Sequence, residues 1–384
     1  MKVFIFSESY VPVRNGVAIS VVTLRDELRS LGHQVYVAAP SFSGYDDDDP
    51  DIYRFSSVRT LGNWDYPLAI PYMPGFMNKV RELKPDIIHT QTPFMLGLLG
   101  QRIARRLDIP LISTNHTQYA EYAHYIPFLP VTFTSSVIIR HLRLYYNRCD
   151  EVIVPTSPVA EMLKGYGVRT PTVAIPTGNS LNCSRDNEIR AVIRQKHGIP
   201  DDALVLIYAG RLAREKNIGL LINAFERIAA KRKNTYLVLI GGGPYETELK
   251  VIAEQTGFSD RIVFTGSIPR DLVGKYYSAG DIFSFPSTTE TQGLVICEAL
   301  EAGLPAVVVR AGGSPEMIVD GEDSLLAEND IDDFTEKIER LLSDRELLSR
   351  LSERAVRNAC RFTPQEMARR ILKAYESAIE LHNR

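Results

Sequence analysis

Asp281-Ile-Phe-Ser-Phe-Pro286-Ser-Thr-Thr-Glu290-Thr-Gln-Gly293-Leu-Val-Ile-Cys-Glu298-Ala-Leu300 decides the fold, because it packs a strand, a turn and a helix start into one stretch. The apolar run Asp281–Pro286 predicts a short buried strand, and the residues from Gly293 to Ala302 predict a helix. Glu290 then lies in the turn at the carboxyl end of the strand and Glu298 inside the helix. In open α/β sheets that strand end is where ligands bind. The amides of Gln292, Gly293 and Leu294, at a helix N-terminus, form a ready anion site. Such a turn suits a sugar nucleotide: one acid for sugar hydroxyls, the other for ribose hydroxyls, and the helix end for the pyrophosphate. Two glutamates at this spacing are common by chance, and acids near a helix start often only complement its dipole. The surrounding sequence carries the weight.

Outward from that stretch, strands alternate with helical patterns in two separate runs. In the first, residues 2–6 predict a strand, followed by a loop with Asn15-Gly16 and an amphipathic helix ended by Gly32. Further strands are expected near 34–39, 86–89, 110–114, 151–155 and 172–175. The pattern restarts at Ala203-Leu-Val-Leu-Ile-Tyr-Ala209, with strands near 236–240, 261–264, 281–285 and 305–309. Such alternation predicts mostly parallel sheets covered on both faces. The expected domains are 1–178 and 179–363, joined through the linker near Pro176–Cys183. A last helix over 364–384 is expected to return to the first domain. Two such domains facing a cleft open and close by hinge motion.

Bulk properties narrow the class. The chain has 384 residues, too many for one ordinary core, with 45% hydrophobic and 24% charged residues. A net charge of -3 gives no basic field for nucleic acid. Cys149, Cys183, Cys297 and Cys360 form no ligand cluster, which points to a reducing compartment and away from structural zinc. The start, Met-Lys-Val-Phe-Ile-Phe-Ser-Glu, turns polar too early for a signal peptide, and no apolar stretch is long enough to span a bilayer. The expectation is a cytoplasmic protein whose membrane contact, if any, is peripheral.

Several further residues could carry chemistry. Gly210-Arg211 and Lys216 follow the first strand of the second run, where a guanidinium and an ammonium would clamp a diphosphate. Gly241-Gly242-Gly243 and Gly312-Gly313 end other strands, as turns or as places where backbone meets ligand. In the first run Gly16 and His116 both follow strands. A lone histidine is usually structural, but one at a strand end is a better site candidate. The acidic run Asp46–Asp49 with Asp51 reads as a solvated loop rather than a metal site. Residues 118–148 combine Tyr119, Tyr122, Tyr125, Phe128 and Phe133 with Arg140, Arg143 and Arg148. That composition fits a helix lying on an anionic membrane and equally a packed helix with one basic face.

Taken together, Asn15-Gly16-Val17, Gly32-His33, His116, Gly210-Arg211 with Lys216, Glu290 and Glu298, Ala302-Gly303-Leu-Pro305 and Gly312-Gly313 resemble family 4 retaining glycosyltransferases. The resemblance covers nearly the whole chain and implies the GT-B fold, two Rossmann-like domains facing an interdomain cleft. It implies an acceptor-binding first domain and a nucleotide-sugar-binding second one. Arg211 and Lys216 would bind the donor diphosphate, and Glu290 the transferred sugar. Thr291, Gln292, Gly293 and Leu294 would contact sugar or phosphate, and Glu298 the ribose. Gly16 and His116 would line the reaction centre, His116 with Arg211, Lys216 and Glu290 forming the catalytic set. The resemblance implies retention of anomeric configuration with no cofactor and no obligatory metal.

Asn115-His-Thr-Gln-Tyr-Ala-Glu121-Tyr-Ala-His124-Tyr-Ile-Pro127 and Glu290-Thr-Gln-Gly-Leu-Val look like bacterial diacylglycerol glucosyltransferases. The implied partners are a nucleotide sugar, expected to be UDP-glucose, a glycerolipid acceptor and an anionic membrane surface on the inner face of the cell membrane. Relatives acting on phosphatidylinositol or soluble acceptors share much of the pattern. The loop at Asn15-Gly16 has one glycine where many relatives have two. From other classes, a non-catalytic two-domain sugar-binding protein and a sugar-nucleotide epimerase also fit two α/β domains.

Overall fold

Alternation along β1 (Lys2–Phe6) sends Phe4 and Phe6 into one core and Val3 and Ile5 into another, all fully buried. A strand buried on both faces belongs in the middle of a covered sheet. The protein is described here by a computed structural model covering all residues except 14, 59–66, 122–129, 180 and 182. The chain divides into two units, Met1–Gly178 with Pro364–Arg384, and Asn179–Thr363.

In the first unit β1 is followed by α1 (Gly16–Ser30), β2 (Gln34–Pro40), β3 (Ile52–Phe55), β4 (Ser57–Val58), β5 (Leu68–Ala69), α2 (Phe76–Leu83) and β6 (Ile87–Thr90). Then come α3 (Met95–Leu107), β7 (Leu111–Thr114), α4 (Val131–Tyr146), β8 (Glu151–Val154), α5 (Ser157–Gly165) and β9 (Thr172–Ala174). The main sheet is ordered β3-β2-β1-β6-β7-β8-β9 with every pairing parallel, and β4 pairs antiparallel with β5. Asn15 starts α1 by accepting from the Ala18 amide at 2.8 Å, and Gly32 stops it in the left-handed region at φ 83°.

The second unit runs α6 (Asn187–Lys196), β10 (Leu204–Ala209), α7 (Ile218–Lys231), β11 (Thr235–Ile240), α8 (Glu246–Gln255), β12 (Ile262–Phe264) and α9 (Arg270–Tyr277). It continues with β13 (Ile282–Phe285), α10 (Leu294–Glu301), β14 (Ala306–Val309), β15 (Leu325–Ala327), α11 (Ile331–Ser343) and α12 (Arg345–Ala359). Its sheet, also parallel throughout, is ordered β12-β11-β10-β13-β14-β15. In each sheet the order reverses beside a central strand, between β1 and β6 and between β10 and β13. Those reversals are where open α/β sheets leave a crevice.

The last helix, α13 (Pro364–His382), belongs to the first unit. Its Met367, Ile371, Ala374, Tyr375 and Ala378 share a core with Val21, Leu24 and Leu28 of α1 and with Val3, Ile5, Ile87, Ile112 and Ile153 of the sheet. The opposite face is covered by Phe76 and Val80 of α2, Leu96 and Ile103 of α3, Leu142, Tyr145 and Tyr146 of α4 and Leu163 of α5. Beneath α13, His89 of β6 is fully buried, with Nδ1 2.7 Å from the Tyr375 hydroxyl and Nε2 2.7 Å from the Thr114 hydroxyl.

The acidic run departs from the sequence expectation of a solvated loop. Asp47 pairs with Arg54 of β3 at 2.6 Å, with both side chains nearly covered, and Asp49 and Asp51 pair with Arg29 of α1. Arg54 also donates to the Pro40 and Val11 carbonyls at 2.8 Å, so the run is tied to the sheet edge. β3, β4, β5 and β15 were not foreseen; all are short, and a short segment shows little periodicity.

In the second unit Asp281, just before β13, accepts from Arg190 at 2.8 Å, Arg194 at 3.0 Å, Arg185 at 3.3 Å and the Val205 amide at 2.9 Å. Arg194 is fully buried. Asp281→Ala would strand that guanidinium and is expected to destabilise by about 3–5 kcal/mol, read as a lower urea midpoint. An unchanged midpoint would contradict the buried network.

Burial, with a smaller push from His116, drives the His89 pKa from 6.5 down to about 3. The unfolded chain takes up a proton near pH 6.5 that the folded chain refuses, so stability is lost as pH falls through that window. At pH 4 the loss from His89 alone is about 3 kcal/mol relative to pH 7. Urea unfolding across pH 7 to 4 measures it, and His89→Asn is expected to flatten the slope.

Candidate active site

At the reversal in the second sheet, β10 and β13 lie side by side, with Leu206 opposite Ile282 and Ile207 opposite Phe283. The loops beyond them meet. A single 3-10 turn, Arg214–Lys216, carries Lys216 to Glu290, and the ammonium lies 2.6 Å from Glu290 Oε1. Both side chains are largely covered, at 15% and 19% exposure, so this pair is screened far less than a surface one. Ser287 Oγ donates to the same oxygen at 3.2 Å. Asn217 donates to the Pro286 carbonyl at 3.2 Å and the Thr289 hydroxyl to the Glu215 carbonyl at 3.3 Å, stitching the two loops together.

Two glycine turns hold this arrangement through three close backbone contacts. A Cβ on Gly241 would lie 2.1 Å from the Gly210 carbonyl oxygen, and one on Gly243 2.3 Å from that of Leu212. The Gly241–Gly243 turn therefore packs backbone against backbone on the Arg211 loop. On the other side a Cβ on Gly312 would come 2.5 Å from the Glu290 carbonyl oxygen, and the Gly313 amide donates to that oxygen at 2.8 Å. Side chains are excluded at these contacts by volume.

The two acids of the opening stretch sit in different surroundings. Glu298, on α10, is 1% exposed; it accepts from Tyr277 at 2.9 Å and from Arg270 at 3.2 Å. Burial pushes its pKa up, partly offset by Arg270 and by the Tyr277 hydrogen bond. Gly293 caps α10 at φ 88°, with Thr291 half-buried, Gln292 buried and Leu294 half-buried beside it. Arg211 is exposed on the loop after β10. Arg270, Tyr277 and Ser287 escaped the sequence reading, since none belongs to a motif.

In the first unit Gly16 is exposed at the start of α1, after the loop that follows β1. His116 lies just beyond β7, half-buried, with Nε2 2.7 Å from Gln91 Oε1, and burial pushes its pKa down to about 4. The ring is thus neutral at ordinary pH. Gln91 and His89 also escaped the sequence reading, although their spacing of two places both on one face of a strand. Glu8, beyond β1, accepts from the Leu96 amide at 2.6 Å, and burial raises its pKa.

For residues 118–148, Tyr122, Tyr125 and Phe128 lie outside the described residues. The helix that follows has one packed face and one exposed face. Leu142, Tyr145 and Tyr146 of α4 are buried in the core, while Phe133, Val137, Arg140 and Leu144 form an exposed stripe at helical spacing. Among the described residues no helix is long and apolar enough to cross a membrane, and no group of three or more His, Cys, Asp or Glu could hold a metal ion.

Two family models match the chain: Glycosyltransferase Family 4 over residues 14–182 and Glycosyl transferases group 1 over residues 189–358. An alpha-monoglucosyldiacylglycerol synthase of Streptococcus pneumoniae is 36% identical over 324 residues, covering 82% of this chain and 72% of that one. Another, from Acholeplasma laidlawii, is 30% identical over 400 residues, covering 100% and 99%. The sulfoquinovosyl transferase SQD2 of Arabidopsis thaliana is 29% identical, covering 83% and 62%. Among solved structures, sucrose-phosphate synthase of Thermosynechococcus elongatus superposes with TM-score 0.80 at 21% identity, covering 99% of each chain. HepE of Anabaena in complex with UDP superposes with TM-score 0.79 at 20% identity, covering 98% of this chain and 100% of that one. The chain belongs to the family 4 glycosyltransferases and has the GT-B fold.

Proposed function

We propose that this glycosyltransferase moves glucose from UDP-glucose to a glycerolipid such as diacylglycerol at a membrane surface, with retention of anomeric configuration. The observation that carries this reading is the identity to two alpha-monoglucosyldiacylglycerol synthases, one of them along the full chain. The exposed apolar and basic stripe on α4 supports contact with an anionic bilayer. The GDP-mannose-dependent mannosyltransferase of Corynebacterium glutamicum, 29% identical, keeps a mannosyl donor as the second reading.

In this reading Arg211 and Lys216 hold the donor diphosphate, and their charge stabilises the departing phosphate as the glycosidic bond breaks. That phosphate takes the proton of the incoming hydroxyl on the same face of the sugar. Glu290, fixed by Lys216 and Ser287, orients the transferred sugar. The backbone from Thr291 to Leu294 contacts sugar and phosphate, and Glu298 holds the ribose through lone pairs left beside Tyr277 and Arg270. On the first unit, Gly16 and His116 are the residues this reading assigns to the reaction.

Lys216→Ala and Glu290→Ala are each expected to lower transfer by 10²-fold or more, on the scale of removing a group that stabilises developing charge. The assay pairs UDP-glucose and GDP-mannose with vesicles containing diacylglycerol and anionic lipid, and resolves products by mass spectrometry. Normal turnover in both variants would sink the site assignment. Glucose delivered only to soluble acceptors would sink the lipid reading. Gly312→Ala, which must displace the Glu290 backbone, is expected to cost on the order of tenfold or more in kcat while the protein stays folded by circular dichroism.

A further inference from the structure

A carboxylate that is to hold ribose hydroxyls must be reachable, and Glu298 is covered: its side chain is 1% exposed. Oε2 accepts from the Tyr277 hydroxyl at 2.9 Å and Oε1 from the Arg270 guanidinium at 3.2 Å. Both partners belong to α9, where Arg270 opens the helix and Tyr277 closes it, two turns apart and so on one face. Tyr277 is fully buried, whereas the Arg270 side chain is 34% exposed. Of the carboxylate's partners among the described residues, Arg270 is therefore the one that reaches solvent and caps it on that side.

Arg270 also stands at the ligand end of the second sheet. The turn before it leaves β12, and the Gly266 carbonyl in that turn accepts from the Gly241 amide at 3.2 Å. A Cβ on Gly242 would lie 2.7 Å from Ser267 Oγ. The turn therefore packs on Gly241–Gly243, which in turn is wedged against the Arg211 loop. All of these groups belong to the second unit. A guanidinium on a strand-end turn thus covers a buried acid at the edge where open α/β sheets take their ligands. Its N–H groups donate to the carboxylate just as ribose hydroxyls do, so one set of donors can replace the other on the same oxygen.

We propose that Arg270 is a positioning residue for the nucleotide sugar, a stand-in that occupies Glu298 until ribose hydroxyls displace it. The inference rests on the reading that Glu298 holds the donor ribose. Binding then exchanges one hydrogen bond for another. The guanidinium leaves Oε1, which it meets from a partly exposed position, and the hydroxyls donate in its place. Tyr277 stays on Oε2 and keeps the carboxylate aimed. Until that exchange Arg270 offsets the cost of burying the charge: burial raises the Glu298 pKa, and Arg270 is the largest influence lowering it. A ligand that needs a minor arrangement of its site binds more weakly in proportion to the fraction of protein in that arrangement. Arg270 therefore sets how tightly the nucleotide is held.

The test is calorimetric binding of UDP and of 2′,3′-dideoxy-UDP, which lacks the hydroxyls, at about pH 8 to favour ionised Glu298. The wild-type protein is expected to prefer UDP. Arg270→Ala is expected to bind UDP on the order of fivefold tighter while dideoxy-UDP changes less than twofold, because only the hydroxyls compete with the guanidinium. Arg270→Gln keeps an N–H donor for Glu298, guards against misfolding of the alanine variant and is expected to fall between. UDP binding that is unchanged or weaker in the folded Arg270 variants would overturn the proposal, and a purely structural arginine would give that result with a lower urea midpoint. Glu298→Ala judges the underlying reading. If it keeps the full preference for UDP, or if the wild type has none, Glu298 does not hold the ribose and the inference falls with that reading. If the preference is lost in Glu298→Ala yet Arg270→Ala binds UDP no tighter, the reading stands and the stand-in alone is refuted.

Discussion

The candidate site in the second unit depends on how closely one stretch of backbone can pass another. Glu290 and Lys216 belong to different loops, and their 2.6 Å contact survives only if both loops are held to within a fraction of an ångström. Side chains alone are poor at this, because each rotatable bond adds freedom. Here the loops are wedged by peptide groups lying on peptide groups, at Gly241 on Gly210, Gly243 on Leu212 and Gly312 on Glu290. The parallel pairing of β10 with β13 sets the coarse position, and the glycines set the fine one. An ion pair mounted this way loses little conformational entropy on meeting a ligand, which is the condition for electrostatic stabilisation without reorganisation.

The first unit solves a different problem with a polar line in an apolar setting. Three buried polar side chains, Gln91, His89 and Tyr375, would each be costly alone. Joined end to end they satisfy one another, and the residues at the two ends, His116 and Tyr375, belong to distant parts of the chain. Burial then keeps both rings neutral, His89 more firmly than His116. Stability and ring chemistry are coupled, since whatever loosens α13 also releases the partner of His89.

Much of this was legible in the sequence, for identifiable reasons. Most strands of both sheets, the short β3 and β15 excepted, stood out because buried parallel strands are continuous apolar runs, and the Glu290 turn stood out because glycine and proline punctuate it. Lys216 and Glu290 were each placed at a strand end, but their contact needed the sheet order that sets β10 beside β13. What stayed hidden was contact across long separation. Nothing near Glu298 announces Tyr277 or Arg270, and nothing near His116 announces Tyr375. The acidic run misled for a related reason: its neutralising partners, Arg29 and Arg54, are distant in sequence or look like ordinary surface residues until the sheet edge is built. The stripe on α4 was readable as composition, but which residues face outward required the packed helix.

The placement of α13 also bears on how the protein is made. One face of the first sheet, with Ile5, Ile87, Ile112 and Ile153 on it, is roofed partly by residues translated after the entire second unit. At ribosomal speeds of about 5–20 residues per second, that face waits on the order of ten seconds or longer for its cover. Until then the nascent first unit carries an apolar surface and a His89 without its phenol partner. The last helix is therefore a closing seal on synthesis, and the chain cannot hold its finished first unit before the second one has been made.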